Sequence, residues 1–198
     1  VFYSISNAQK GLAGISFGGF LIKRVADSLA GEYPGLKNFA TLSPIPGFRG
    51  WLEGVLNNGE AKLLLPAERG ALKSAAGGTG GAKGTLKALL DAVDQEVDGA
   101  VGKIPRSPLL RLCARYLLQE KRDDGAALDP VAHFHLSNGA SIERLNWLGD
   151  SSPKGLGQSA AIMVNYLYKL DDIGDNHEAY TSEGKIAASS SVRSLLKG

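Results

Sequence analysis

The chain has 198 residues, enough for one domain with a sizeable core or two small ones at most. Hydrophobic residues make up 43% and charged residues 21%, too apolar a balance for a disordered chain. The 22 basic and 20 acidic residues leave +2 with no long block of one sign, which argues against nucleic-acid binding while permitting a polyanionic small ligand such as a nucleotide.

No apolar run approaches the roughly 18 residues of a membrane span, so no membrane partner is expected and a soluble domain is. Cys113 is the single cysteine and lies in an apolar segment, which fits a buried core thiol. Because the chain opens on Val1 within a strand-like run, an N-terminal portion is expected to be missing.

Residues 1–6 read as a strand and residues 7–15 as a loop. From Ser16, a plausible N-cap, the residues Phe17, Phe20, Leu21, Val25 and Leu29 recur at helical spacing until Gly31 and Pro34 end the helix. A short strand over 38–42 runs into Ser43-Pro44-Ile45-Pro46-Gly47, where two prolines forbid regular continuation and leave Ser43 at a strand end. Residues 48–56 look helical. The glycine-dense stretch 77–84 reads as a surface loop before a helix over 85–93.

Pro108 opens a core helix carrying Leu109, Leu112, Cys113, Tyr116 and Leu117 on one side. A charged loop covers 119–124. Residues 131–136 and 140–148 flank Asn138-Gly139 and read as a β-hairpin, with His135 just before the turn. Ile162, Val164, Tyr166 and Tyr168 share one face of a strand within 160–170, and a helix over 185–196 closes the chain. The expected fold class is α/β, one layered domain with antiparallel pairing in its sheet.

Gly11-Leu12-Ala13-Gly14-Ile15-Ser16-Phe17-Gly18-Gly19 lies between a strand and a helix. Glycines let a ligand approach the backbone, and free N–H groups at a helix start favour phosphate oxygens; the same turn fits a tight connection with no ligand. Gly14-Ile15-Ser16-Phe17-Gly18 also matches the nucleophile elbow of α/β-hydrolases, which would make Ser16 a nucleophile with Asp129 and then His135 or His177. Against that reading, an elbow needs a buried strand running into the turn, and Asn7-Ala8-Gln9-Lys10-Gly11 is polar.

His133 and His135 would share a face on a strand, a conceivable metal pair, but no third ligand follows at a recognisable spacing, so no metal is expected. His177 reads as a solvated loop residue. Trp51 and Trp147 read as packing residues, as do Tyr166 and Tyr168. For Tyr168 an indirect role behind a site is also open.

Ser43-Pro44-Ile45-Pro46-Gly47-Phe48 and Asp129-Pro130-Val131-Ala132-His133-Phe134-His135-Leu136-Ser137-Asn138-Gly139-Ala140 resemble the malonyl-CoA decarboxylase family, with further similarity at Phe2-Tyr3-Ser4-Ile5-Ser6, Leu145-Asn146-Trp147 and Asn165-Tyr166. The resemblance is weakest over 57–102. It implies an acetyltransferase-like (GNAT) fold, a mixed sheet flanked by helices, with the loop before the first helix holding the CoA pyrophosphate. It implies Ser43 and His135 as catalytic residues. Ala13, Gly14, Ile15, Ser16, Phe17, Gly18 and Gly19 would bind the substrate together with that pair.

Some members of the family carry a glutamate at the position of Ser16, so no carboxylate role carries over there. The family also has an upstream helical domain and earlier strands, so residues 1–198 are expected to be a single acyl-CoA-binding catalytic domain lacking both, and poorly active alone. The implied reaction is loss of CO2 from malonyl-CoA to give acetyl-CoA through a thioester enolate, which calls for no redox cofactor or metal. A homo-oligomer is expected for the longer protein, in the cytoplasm, or in a mitochondrion or peroxisome if the source is eukaryotic. A serine hydrolase using Ser16, a noncatalytic acyl-CoA-binding module and a GNAT-type acyltransferase remain open.

Overall fold

Alternation of side chains along a strand sends every second residue of Met163–Tyr168 to one face, and Val164, Tyr166 and Tyr168 are accordingly buried. The computed structural model describes residues 17–58, 63–75, 81–94 and 106–197. Its sheet is antiparallel: β1 (Phe39–Ala40), β2 (Ser141–Asn146) and β3 (Met163–Tyr168) lie in the order β1-β3-β2. Phe39 pairs with Tyr168 on one side of β3, and Ile142 with Tyr166 on the other, with a register shift between Ile142 and Arg144.

Helices α1 (Phe17–Glu32), α2 (Phe48–Asn57), α3 (Pro66–Ala75), α4 (Ala82–Asp94), α5 (Arg106–Gln119), α6 (Pro130–Ser137), α7 (Pro153–Ser159), α8 (Ile173–Glu183) and α9 (Ser190–Ser194) accompany the sheet. The core draws Phe48 and Leu52 from α2, Leu109, Leu112, Cys113 and Tyr116 from α5, and the buried face of β3. Cys113 is fully buried, as its setting predicts, and the class is α/β with antiparallel pairing.

The hairpin expected around Asn138-Gly139 is not formed. Residues 131–136 belong to α6, while β2 does occupy most of the second expected strand. Asp129 caps α6 by accepting from the Val131 and Ala132 N–H groups, and Pro130 takes the first helical position, where a missing N–H costs nothing. Asn138-Gly139 ends this helix. Gly139 has φ +80°, and a Cβ there would overlap the Ile173 carbonyl. A dipeptide that tolerates positive φ serves a helix end as well as a type I′ turn, which is why the motif misled.

Other boundaries also differ from expectation. Residues 185–189 are not helical; Ser189 caps the short α9, and Ala188 bridges to Ile142. His177 sits on α8 rather than in a loop. Helix α4 begins at Ala82, so Gly84 lies in its first turn, not in the glycine-rich loop. The expected strand over 1–6, the loop over 7–15 and the proposed cap Ser16 lie outside the described residues, as do 77–80 of the glycine-rich stretch.

Among the helices, α3 is tied to α5 by a buried ion pair. Arg111 Nη2 donates to Glu68 Oε2 at 2.7 Å and to the Leu63 carbonyl at 2.6 Å, and Nε donates to Glu68 Oε1. Arg111 is 7% exposed and Glu68 5%. Removing one partner of such a pair strands the other charge without water, so Glu68→Ala is expected to lower stability by about 3 kcal/mol in urea titrations. A loss below about 1 kcal/mol, the scale of a surface pair, would show that solvent reaches Arg111 after all.

Candidate active site

Pairing to β3 continues past β1 as far as Ser43 and then stops. The Ser43 N–H donates to the Val164 carbonyl at 2.9 Å, and the Val164 N–H returns a bond to the Ser43 carbonyl at 3.0 Å. Pro44 and Pro46 then prevent further ladder bonds, so the chain turns into α2 and leaves Ser43 at the strand end, as the sequence predicts.

His135 arrives from α6. Its Nε2 is 3.1 Å from Ser43 Oγ, and its Nδ1 is 2.7 Å from the Tyr168 hydroxyl. The imidazole stacks on the Tyr166 ring, with centroids 4.3 Å apart and planes at 24°, and meets Phe134 edge-on. Ser43 and His135, the pair that the resemblance implies, are thus one hydrogen-bonded group with Tyr168. Tyr168 touches His135 directly, a closer part than its alternation alone suggested.

Burial decides the electrostatics. His135 is 2% exposed, and loss of hydration pushes its pKa down from 6.5 to about 4, so the ring is neutral at pH 7. The Tyr168 hydroxyl is pushed up by the same cause and stays protonated.

Asp129 does not serve as a triad acid. Its Oδ1 accepts from Val131 and Ala132, and its Oδ2 accepts from the Gly47 N–H at 3.3 Å and the Tyr116 hydroxyl at 3.4 Å. Both His135 nitrogens face other partners. His177 Nδ1 is 2.6 Å from the Ser137 carbonyl on the protein surface. The hydrolase constellation of Asp129 with His135 or His177 is therefore not assembled, and Ser16 lies outside the described residues. Of the phosphate loop, Ala13, Gly14, Ile15 and Ser16 are likewise outside them, and Phe17, Gly18 and Gly19 open α1.

His133 lies two residues from His135 on a helix, about 200° around its axis, so the two rings diverge rather than share a strand face. Its Nδ1 is 2.9 Å from the Tyr180 hydroxyl, whose oxygen also accepts from the Ala127 N–H. A cleft of about 580 Å³ opens there, lined by residues that include Lys121, His133, Tyr180 and Gly184. Neither Ser43 nor His135 lines it. Convergent polar side chains, rather than room, mark the candidate chemical centre, and they meet at Ser43.

Thr41 and Gly47 were not singled out in the sequence. Thr41 is fully buried, and its Oγ1 accepts the Ser43 hydroxyl proton at 2.9 Å. A Cβ on Gly47 would overlap the Tyr116 hydroxyl. The signal for Thr41 was present, because residues two apart on a strand share a face.

The depressed His135 pKa has a signed consequence. Between pH 6.5 and about 4 the unfolded chain binds a proton that the folded chain refuses, so this contribution to stability is present above pH 6.5 and lost as pH falls through the window. Urea titrations of wild type and His135→Asn should diverge in slope by about 3 kcal/mol across that range, with wild type losing more. Parallel curves would mean that His135 titrates normally.

A family model described as the malonyl-CoA decarboxylase C-terminal domain matches residues 1–198. The chain is 43% identical to "Malonyl-CoA decarboxylase, mitochondrial" of Anser anser anser and 44% identical to the Rattus norvegicus protein of that name, in each case over 99% of its length. It spans 39% and 40% of those two curated relatives, about two fifths of each. Among solved structures, malonyl-CoA decarboxylase from Agrobacterium vitis matches at 45% identity with a TM-score of 0.80, over 98% of this chain and 44% of that one. The Rhodopseudomonas palustris enzyme matches at 46% identity with a TM-score of 0.76, over 98% of this chain and 41% of that one. With the model match running from end to end and relatives this similar, the chain belongs to the malonyl-CoA decarboxylase C-terminal domain family.

Proposed function

We propose that this chain is the catalytic portion of an enzyme that converts malonyl-CoA to acetyl-CoA and CO2, with Ser43 and His135 handling the proton. One observation supports the pair most: Ser43 Oγ and His135 Nε2 stand 3.1 Å apart in a buried site, within a chain of this family. Loss of CO2 leaves an electron pair shared between C2 and the thioester oxygen. The step is favoured by donors aimed at that oxygen and by an acid that then protonates C2. A neutral imidazole in a dry site suits this work: as Ser43 gives its hydroxyl proton to C2, Nε2 replaces it and Nδ1 takes the Tyr168 proton, so no buried positive charge forms and the enolate's negative charge ends on the tyrosine oxygen.

The same proposal includes an acetyltransferase-like arrangement, in which the loop of Ala13 to Gly19 sets the CoA pyrophosphate at the start of α1. The glycine-rich spacing of Gly11 to Gly19 ahead of a helical pattern supports this reading. Residues 1–198 act as one acyl-CoA-binding domain, in a homo-oligomer. The setting is cytoplasmic, or mitochondrial or peroxisomal in a eukaryotic source.

A product assay with malonyl-CoA tests the reaction, using the chain expressed with whatever coding sequence flanks it. Acetyl-CoA and CO2 in equal amounts are expected; release of malonate and free CoA instead would point to a hydrolase. Ser43→Ala and His135→Asn should each lower kcat by roughly 10² or more with little change in KM, the pattern of groups acting in the transition state. Ser16→Ala should act chiefly on KM. A kcat collapse for Ser16→Ala with Ser43→Ala near normal would overturn the assignment.

For the loop, Gly14→Val should weaken CoA binding far more than a valine at Gly78, because a side chain at Gly14 blocks close approach of the pyrophosphate. Calorimetric titration with CoA reads this directly. Equal, wild-type affinities for both variants would remove residues 13–19 from the site.

A further inference from the structure

Thr41 Oγ1 receives the Ser43 hydroxyl proton at 2.9 Å, and a hydroxyl has one proton to give. Toward His135, Ser43 Oγ must therefore be the acceptor, and Nε2, 3.1 Å away, the donor. A neutral imidazole carries one N–H, so Nδ1 is left to accept from the Tyr168 hydroxyl at 2.7 Å. The bonds run in one direction, from Tyr168 through His135 and Ser43 to Thr41.

That direction matters because the opposite one describes a different enzyme. If Ser43 instead donated to Nε2, the pair would be the serine–base dyad of a hydrolase. Ser43 Oγ would attack the thioester carbonyl, forming an O–C bond as the C–S bond breaks, with its proton passing through Nε2 to the departing CoA sulfur. Water would then cleave the ester and release malonate. The atoms for both reactions stand in the same place, and the position of one proton separates them.

We propose that Thr41 is a positioning residue that withholds the Ser43 hydroxyl proton from His135, so that the pair transfers protons and does not accept acyl groups. Thr41 is held rigidly enough to do so. Its N–H donates to the Tyr166 carbonyl at 2.9 Å, its carbonyl accepts from Asn165 Nδ2 at 2.6 Å, and Asn146 Nδ2 fixes the Asn165 oxygen at 2.7 Å. Its Oγ1 also accepts from the Tyr166 N–H at 3.3 Å, which aims the oxygen's remaining lone pair at Ser43. Residue 41 is fully buried, so no water competes for that lone pair. The proposal rests on the decarboxylase reading for its purpose, and on geometry alone for the proton's place.

The experiment is ¹⁵N NMR of the histidine side chains in the full chain at pH 7.5, with His135 identified by the signal that His135→Asn removes. Wild type should carry its proton on Nε2. Thr41→Val, nearly the same shape without the acceptor, should move the proton to Nδ1, and Thr41→Ser should restore it to Nε2. In Thr41→Val, release of free CoA thiol relative to CO2 should rise by about tenfold, a modest part of what an activated base contributes. A wild-type proton on Nδ1 overturns the proposal without any variant, which covers the case of a Thr41→Val chain that does not fold. A folded Thr41→Val that keeps the wild-type tautomer overturns it too. If wild type releases no CO2 from malonyl-CoA, the decarboxylase reading fails, and the tautomer of wild type still decides whether Thr41 holds Ser43.

Discussion

A single buried carboxylate holds the two halves of the site together. Asp129 is fully buried and accepts from four donors on three different segments: Val131 and Ala132 at the start of α6, Gly47 in the proline-rich turn after Ser43, and Tyr116 on α5. Burial pushes its pKa up, and the three backbone N–H groups and the Tyr116 hydroxyl pull it back toward the charged form. Ser43 and His135 lie 92 positions apart in sequence, on a strand end and a helix. The helix presents His135 to Ser43 because its first turn is fastened, through this carboxylate, to the turn that follows Ser43. Gly47 completes the joint: any Cβ would collide with Tyr116, so α5 can come close only against a bare backbone.

Much of this was legible in the chain. Two prolines in Ser43-Pro44-Ile45-Pro46 end a strand wherever they occur, and the period of Val164, Tyr166 and Tyr168 marks a strand with one buried face. What failed was the weighing of Asn138-Gly139 against Asp129-Pro130. Both are strong local signals, but an Asp-Pro pair followed by seven residues without a break specifies a helix start, and Asn-Gly then closes that helix. Reading the turn first gave a hairpin. Ser152-Pro153 carries the same start signal for α7 and went equally unused.

The resemblance paired His135 with Ser43, but that Asp129 is not a partner of His135 was beyond local reasoning. Asp129 lies six positions before His135, a natural spacing for an acid and a base, yet its oxygens are consumed by backbone donors that only the folded chain brings to it. Tyr168 was read as packing with an indirect role, because alternation reports that a side chain is inside and says nothing of where its hydroxyl points. Thr41 left a fainter trace, its position two residues before Ser43 on the same strand face. Sequence alone gives no reason to prefer it to any other buried threonine.

The dryness of the site ties these observations to chemistry. Water around His135 would raise its pKa toward 6.5 and let it charge near neutrality; excluded, the ring stays neutral, and in the proposed reaction it is a conduit. A conduit needs a direction, and in a dry site direction is set by which fixed groups can only give and which can only take. Here the Tyr166 N–H can only give, and it occupies part of Thr41 Oγ1; the rest of that oxygen is left for Ser43. The orientation of one serine proton therefore descends from a backbone amide in the middle of the central strand. The sheet does more than display the candidate site: its ladder fixes the amide, the amide holds Thr41 Oγ1, and that oxygen takes the Ser43 proton, which in the proposed reaction makes the serine a relay rather than a nucleophile.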